Sequence, residues 1–237
     1  MPAPGLESAP NYSTDESTHR TFQSARRAEK PVDEPKSTLS APRSWPSSFK
    51  SSKRGKKAIV ASYTWYISPR NRLIVVQSIT PLNAFVFKAV RLDALQEAPG
   101  AFGSTYEKEL RFPDSEWLAR AERMNGERGI GFLAMEGETP CGIVGSFLDE
   151  NDPTRAHLVS MWTAPTHRQQ GVGRQLVKEV VRWACLRHAR TLLLMVTSNN
   201  EPALRFYERL GFARTGRTEP YPNDPAILEY EMSRPIP

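Results

Sequence analysis

The sequence predicts an α/β protein whose sheet is antiparallel in its first half and contains a parallel pair in its second. Three observations carry that expectation. From Leu73 onward, strand-like and helix-like patterns alternate at regular intervals. Two apolar runs, Gly129 to Met135 and Gly142 to Leu148, flank the turn-rich Glu136-Gly137-Glu138-Thr139-Pro140 and form a hairpin. The run Leu192-Leu193-Leu194-Met195-Val196 lacks alternation, which marks a central strand covered on both faces.

The residues before this pattern differ in kind. Residues 1–56 hold many serines, with seven prolines in the first fifty positions, and show no apolar periodicity. Nothing in them offsets the entropy of ordering, so a disordered tail is expected. The tail also holds the charge: residues 1–57 carry 11 Lys+Arg against 6 Asp+Glu, and residues 58–237 carry 21 against 20. The net charge of +6 therefore describes the tail. Its cluster Lys50, Lys53, Arg54, Lys56 and Lys57 reads as a solubilising arm in preference to a nucleic-acid-binding one. Residues 57–72 are a linker or an extra strand, since Ile59, Ala61, Tyr63 and Trp65 alternate.

Residues 73–237 form the folded domain. Leu73 to Ile79 is a β-branched run ended by Thr80-Pro81, a helix start with Thr80 as cap and proline in the first turn, and the helix runs to about Leu95. A loop with a second short helix spans Gln96 to Phe112, and Pro113-Asp114-Ser115-Glu116 opens a helix that reaches about Arg123. After the hairpin and the Asn151-Asp152-Pro153 turn comes a strand from Ala156 to Thr163 and a polar loop from His167 to Gly171. A helix from Val172 to about His188 places Val172, Leu176, Val180 and Trp183 on one face. The central strand Thr191 to Thr197 follows, then a helix from Glu201 to Leu210 stopped by Gly211, and closing strands Phe212 to Thr218 and Ile227 to Met232.

Composition narrows the function classes. No window approaches the ~18 consecutive apolar residues that a membrane helix needs. The N-terminus lacks the charged-then-apolar order of a secretory signal, and its acidic residues argue against a transit peptide. Cys141 and Cys185 are too few for a disulfide framework or a metal cluster, so a reducing cytosol and no metal are expected, with Cys185 packed inside its helix.

Most of the chemistry-bearing residues lie in His167-Arg168-Gln169-Gln170-Gly171-Val172-Gly173-Arg174, between a strand and an amphipathic helix. Unpaired N–H groups and the helix dipole suit a pyrophosphate there, and a tight turn with close packing is the plainer alternative. The segment is neither a Walker loop nor a Rossmann fingerprint. It does resemble the Arg/Gln-x-x-Gly-x-Gly/Ala loop of the GNAT acetyltransferases, with Arg168, Gly171 and Gly173 in the matching places. Downstream, Asn200-Glu201-Pro202-Ala203-Leu204-Arg205-Phe206-Tyr207-Glu208-Arg209-Leu210-Gly211-Phe212 is similar to the family's Asn-x-x-Ala-x-x-x-Tyr and Leu-Gly-Phe ending. Thr163-Ala164-Pro165 and the loop Ala101-Phe102-Gly103-Ser104-Thr105 also fit, and the likeness runs from about Leu73 to Arg234.

The resemblance implies a bacterial-type single-domain member, with a mostly antiparallel sheet of six or seven strands and helices on both faces. It implies transfer of acetyl from acetyl-CoA, without a metal, to a small-molecule or peptide amine by direct attack in a ternary complex. The pantetheine arm would pair with the main chain at Met161, Trp162 and Thr163. Arg168, Gln169, Gln170, Gly171, Val172, Gly173 and Arg174 would hold the pyrophosphate, Asn200 would bond the pantetheine, and Tyr207 would donate a proton to the leaving thiolate. Taken without the family, Asn200 caps a helix and Tyr207 is a core aromatic. The general base is open among Glu107, Glu109, Glu219, Tyr221 and His157, with Glu107 placed first for its position after the Phe102 loop. A monomer or homodimer is expected, free of membrane and nucleic acid. The competing function is a CoA-binding regulatory or scaffold module whose basic tail binds nucleic acid.

Overall fold

The computed structural model describes residues 64–67 and 73–237. The expected basic tail and most of the 57–72 linker lie outside the described residues. Within that linker, Thr64–Ile67 is strand β1, which pairs antiparallel with β2, Leu73–Ser78.

The expected helix start at Thr80-Pro81 begins as one 3-10 turn, Pro81–Asn83, where the Asn83 side chain accepts the Thr80 N–H at 2.8 Å. Helix α1 proper is Ala84–Glu97. The loop after it holds a second 3-10 turn, Pro99–Ala101, and the short helix α2, Tyr106–Leu110; α3 is Asp114–Arg123. The hairpin is β3, Gly129–Glu136, and β4, Thr139–Leu148. Strand β5, Arg155–Thr163, leads through the loop into α4, Val172–Leu186. Strand β6, Thr191–Thr197, precedes α5, Glu201–Arg209, and a final hairpin of β7, Ala213–Tyr221, and β8, Asp224–Pro235.

The sheet runs β1-β2-β3-β4-β5-β6-β8-β7, the expected strands with β1 added at the edge. Every neighbouring pair is antiparallel except β5–β6, which α4 joins as a crossover. Alternation along the hairpin divides its side chains between two cores. Leu133, Met135 and Ile143 pack with Phe87 and Leu95 of α1 and Trp117 of α3; Phe132, Ala134 and Val144 pack with Leu176, Val177 and Val180 of α4 and Leu204 of α5. Helices therefore cover both faces, and each large apolar side chain sealed there contributes about 1.5–3 kcal/mol. Cys185 departs from expectation: it is exposed on α4, with Sγ 3.4 Å from the Pro237 carbonyl oxygen. Among the described residues, no helix is long and apolar enough to cross a membrane.

Two features of β5 open the sheet. Its parallel pairing with β6 covers only Arg155–Thr191, Ala156–Leu192 and His157–Leu193, after which β6 continues on β8 alone. On its other side, Ile143 faces Trp162 and Gly145 faces Val159, so Ser160 and Met161 together oppose Val144. This is a β-bulge with Ser160 in the left-handed region at φ 55°, and it bends the strand away from its neighbour.

Candidate active site

The gap between β5 and β6 holds two adjoining cavities of about 80 and about 240 Å³. Both are lined by Ala101, Leu158, Val159, Ser160, Met195 and Glu229. Met161, Asn200, Ala203 and Tyr207 belong to the smaller, and Arg91, Phe102, Gly103 and His157 to the larger.

The glycine loop lines neither cavity and meets the smaller one only through Met161, against which Gly173 packs. Gly171 enters α4 at φ 87°, a conformation that costs any residue with a Cβ, and Gln169 before it stands at φ 60°. The first-turn N–H groups at Val172, Gly173 and Arg174 have no partner within the helix and carry the positive end of its dipole. Gly173 has a different task. A Cβ there would lie 3.1 Å from Met161 Cε and 3.1 Å from Phe206 Cζ, so its absence lets α4 close against β5 and α5. Gln170 is buried, donates to the Thr166 carbonyl at 2.6 Å, and keeps its Oε1 without a partner among the described residues.

The two arginines of this segment separate. Arg174 is exposed on α4. Arg168 is drawn back toward the end of β5: its Nε donates to the Thr163 carbonyl at 3.0 Å, and its Nη2 pairs with Glu97 of α1. Glu97 also accepts from Trp162 Nε1 at 2.9 Å, so Arg168 and the Trp162 indole share one carboxylate. Burial would raise the Glu97 pKa, but these hydrogen bonds and the Arg168 charge hold it below its ordinary value. Arg168 thus ties the end of β5 to α1. Neither Trp162 nor Thr163 lines a cavity; of the three expected pantetheine positions only Met161 does.

Asn200 accepts the Ala203 N–H at 3.2 Å as the cap of α5 and lines the smaller cavity as well. Tyr207, two turns further along, is 7% exposed and packs edge-on to Phe206 and Phe212, with ring centres 5.2 and 5.5 Å away. Burial pushes its phenol above the ordinary value of 10, so it stays protonated at neutral pH.

The expected bases fare differently. Glu107 is exposed on α2 and lines neither cavity. Glu109, two residues on, is fully buried between Arg91 Nη2 at 2.8 Å and Arg120 Nη1 at 2.7 Å. Burial would raise its pKa, but both guanidiniums hold it at about 2, which removes it as a base. Glu219 pairs with Arg217 on the surface. The Tyr221 hydroxyl is 2.9 Å from the Pro99 carbonyl oxygen and 2.7 Å from that of Phe102, which ties it to the loop as a brace. His157 lines the larger cavity, stacked on Phe147 with its Nε2 2.9 Å from Asp149 Oδ2. A further carboxyl, Glu229 on β8, lines both cavities, and burial together with the Glu219 charge raises its pKa. The only sequence trace of it is two acids, Glu229 and Glu231, alternating with Leu228 and Tyr230 in a closing strand.

A family model described as the acetyltransferase (GNAT) family matches residues 92–212. Streptothricin acetyltransferase of Streptomyces lavendulae is 45% identical over 62 residues, 26% of this chain and 33% of that protein, so the chain spans about a third of the length of this curated relative. Among solved structures, the GNAT domain of S. lividans PAT superposes with a TM-score of 0.60 at 14% identity, covering 73% of this chain and 97% of that one. Salmonella typhimurium yncA, solved with its cofactor acetyl-CoA, gives 0.58 at 14% identity, covering 69% and 94%. The two structures share the fold, and the matched residues run from α1 through the bulged strand, the glycine loop and α5. This chain belongs to the GNAT family of acetyltransferases.

Proposed function

We propose that this protein is an N-acetyltransferase that moves acetyl from acetyl-CoA to a primary amine by direct attack in a ternary complex. The observation that carries this reading is that three features adjoin. The first-turn amides at Val172 to Arg174 offer a pyrophosphate seat, the parted β5 main chain beside Met161 offers hydrogen bonds to an extended arm, and the protonated Tyr207 lines the same smaller cavity as Met161. Gly173 connects the first two, because Met161 packs directly over it. Neither cysteine suits an acyl relay. Burial and the Glu136 charge push the Cys141 thiol up to about 12, and Cys185 lies on the far end of α4. Both being free fits a cytosolic setting.

The curated relative acts on streptothricin by its name, which makes a small-molecule amine our proposed acceptor and streptothricin the first compound to test. A panel of amines with acetyl-CoA and thiol detection is expected to show CoA release that depends on one amine class. Acetyl-CoA binding without turnover of any amine, together with salt-dependent nucleic-acid binding lost on deleting residues 1–57, would replace this reading with that of a scaffold module.

Gly171→Asp tests the phosphate seat separately. The substitution forces a side chain into φ 87° and sets a negative charge beside the pyrophosphate, so calorimetry is expected to show acetyl-CoA binding weakened about tenfold or more. Gly171→Ala, which carries the strain without the charge, is expected to lose less. Unchanged affinity in the aspartate variant would remove the seat from this loop.

A further inference from the structure

Resting on the transferase reading, we propose that Glu229 is the base that takes the proton from the acceptor ammonium, and that the acceptor enters through the larger cavity. Glu229 lies opposite Thr197 of β6 and Glu219 of β7. Thr197 Oγ1 donates to the Gly100 carbonyl at 3.3 Å, so this part of β6 and β8 looks toward the Pro99–Gly103 loop. From the other side, Tyr221 and Asn223 hold the Phe102 carbonyl oxygen at 2.7 and 2.8 Å. The Pro99–Gly103 loop is therefore held from β6 and from the β7–β8 turn, which fixes the geometry a proton transfer needs.

Its position between the two cavities assigns the role. Tyr207 and Asn200 line only the smaller cavity; Arg91, Phe102 and His157 line only the larger; Glu229 lines both. An amine entering past Phe102 meets this carboxylate before it reaches a carbonyl carbon held near Tyr207. The other charged groups around it are already engaged. Arg91 binds Glu109 through two nitrogens, His157 pairs with Asp149, and Arg217 serves both Glu219 and Glu231. Among the described residues no salt bridge neutralises Glu229, which is the state expected of a group that has to accept a cation. Burial and the Glu219 charge raise its proton affinity above that of a solvated carboxylate, toward the range where a general base works best.

The proton balance closes. Glu229 takes one proton from the ammonium and frees the nitrogen lone pair, which forms the C–N bond at the thioester carbonyl. As the C–S bond breaks, its electron pair stays on sulfur, which takes the Tyr207 proton, and the second proton shed by nitrogen restores the phenol. Glu229 then releases its proton to water, so an ammonium and a thioester give an amide, a thiol and one proton.

The test uses the full chain with acetyl-CoA and streptothricin, or the best amine of the panel. Glu229→Gln is expected to lower kcat about 100-fold, with acetyl-CoA affinity within about twofold and residual turnover that climbs with pH toward the amine's own pKa. Because removing a half-buried, unneutralised charge beside Glu219 relieves the fold, its melting temperature at neutral pH is expected to stay level or rise. Glu219→Gln should leave kcat within about threefold while moving the acid limb of the pH profile to lower pH. A kcat for Glu229→Gln within about threefold of wild type, a rise in amine KM alone, or a loss of rate that tracks a loss of melting temperature would each overturn the proposal. If the wild type acetylates no amine, the transferase reading fails by itself, and 13C NMR of the glutamate carboxyls still decides the residue. A carboxyl titrating above the others and missing from Glu229→Gln supports an unneutralised site, and its absence overturns it.

Discussion

Glu109→Gln is expected to destabilise the protein by about 3–5 kcal/mol, because it leaves two arginines facing an amide where they now share a carboxylate. Arg91 donates from Nε at 3.1 Å and from Nη2 at 2.8 Å, and Arg120 adds a third bond at 2.7 Å, so α1, α2 and α3 meet on one fully buried side chain. The fold also acquires an acid-sensitive step. The Glu109 pKa falls from 4.5 to about 2 in the folded state, so its contribution is complete above pH 4.5 and is lost as pH drops toward 2. Urea denaturation at pH 7, 5 and 3 should show the gap between wild type and Glu109→Gln nearly the same at pH 7 and 5 and narrowed at pH 3, where the wild type loses the Glu109 contribution. Equal stability of the two proteins at pH 7 would contradict the argument. Activity should fall as well, since Arg91 stacks over Phe102 at 4.6 Å and reaches toward Ser160 Oγ at 3.5 Å, and both residues line the larger cavity.

The same triad shows where sequence reading stops. Glu107 and Glu109 are equivalent as text, two acids following an aromatic loop. A short helix turns by about 100° per residue, so two positions apart they point in nearly opposite directions, and only α1 and α3 decide which one is buried. The elements themselves were legible because their signals are local. Turn residues between two apolar runs specify the β3–β4 hairpin, and the unbroken apolar run of β6 requires cover on both faces. Their edges were less so. Strand β8 extends over Asp224–Pro235, beyond the Ile227 to Met232 run, because β6 and β7 bond it on both sides. The bulge at Ser160 has no signature either, since a serine at positive φ is imposed by the strands around it.

In the site, legibility again follows sequence distance. Gly171 at the entry to α4 and Asn200 at the cap of α5 take a geometry set within a few residues, and the α5 spacing carries Tyr207 to the cavity that Asn200 lines. The pairing of Arg168 was not legible, because its partner Glu97 lies 71 positions upstream. Glu229 went unnoticed for the same reason. Its exposure to the cleft depends on pairing with Thr197, which no pattern within its own strand announces.

Tyr207→Phe is expected to lower kcat about 100-fold, a loss of about 2.7 kcal/mol in transition-state stabilisation, with acetyl-CoA affinity nearly unchanged. The ring packs against Phe206 and Phe212 and remains in place in the variant, and among the described residues no hydrogen bond engages the hydroxyl, so the fold gives up little. What the variant removes is the phenol hydroxyl that lines the smaller cavity beside Met161 and Asn200. A buried phenol with an elevated pKa holds its proton through neutral pH, so the form able to donate is the populated one. The pH profile discriminates the role. If Tyr207 is the donor, the wild type shows no descending limb from it below about pH 10, and the phenylalanine variant loses rate evenly across that range. A kcat equal to wild type would leave Tyr207 as a core aromatic, and a loss confined to high pH would assign the proton to another group.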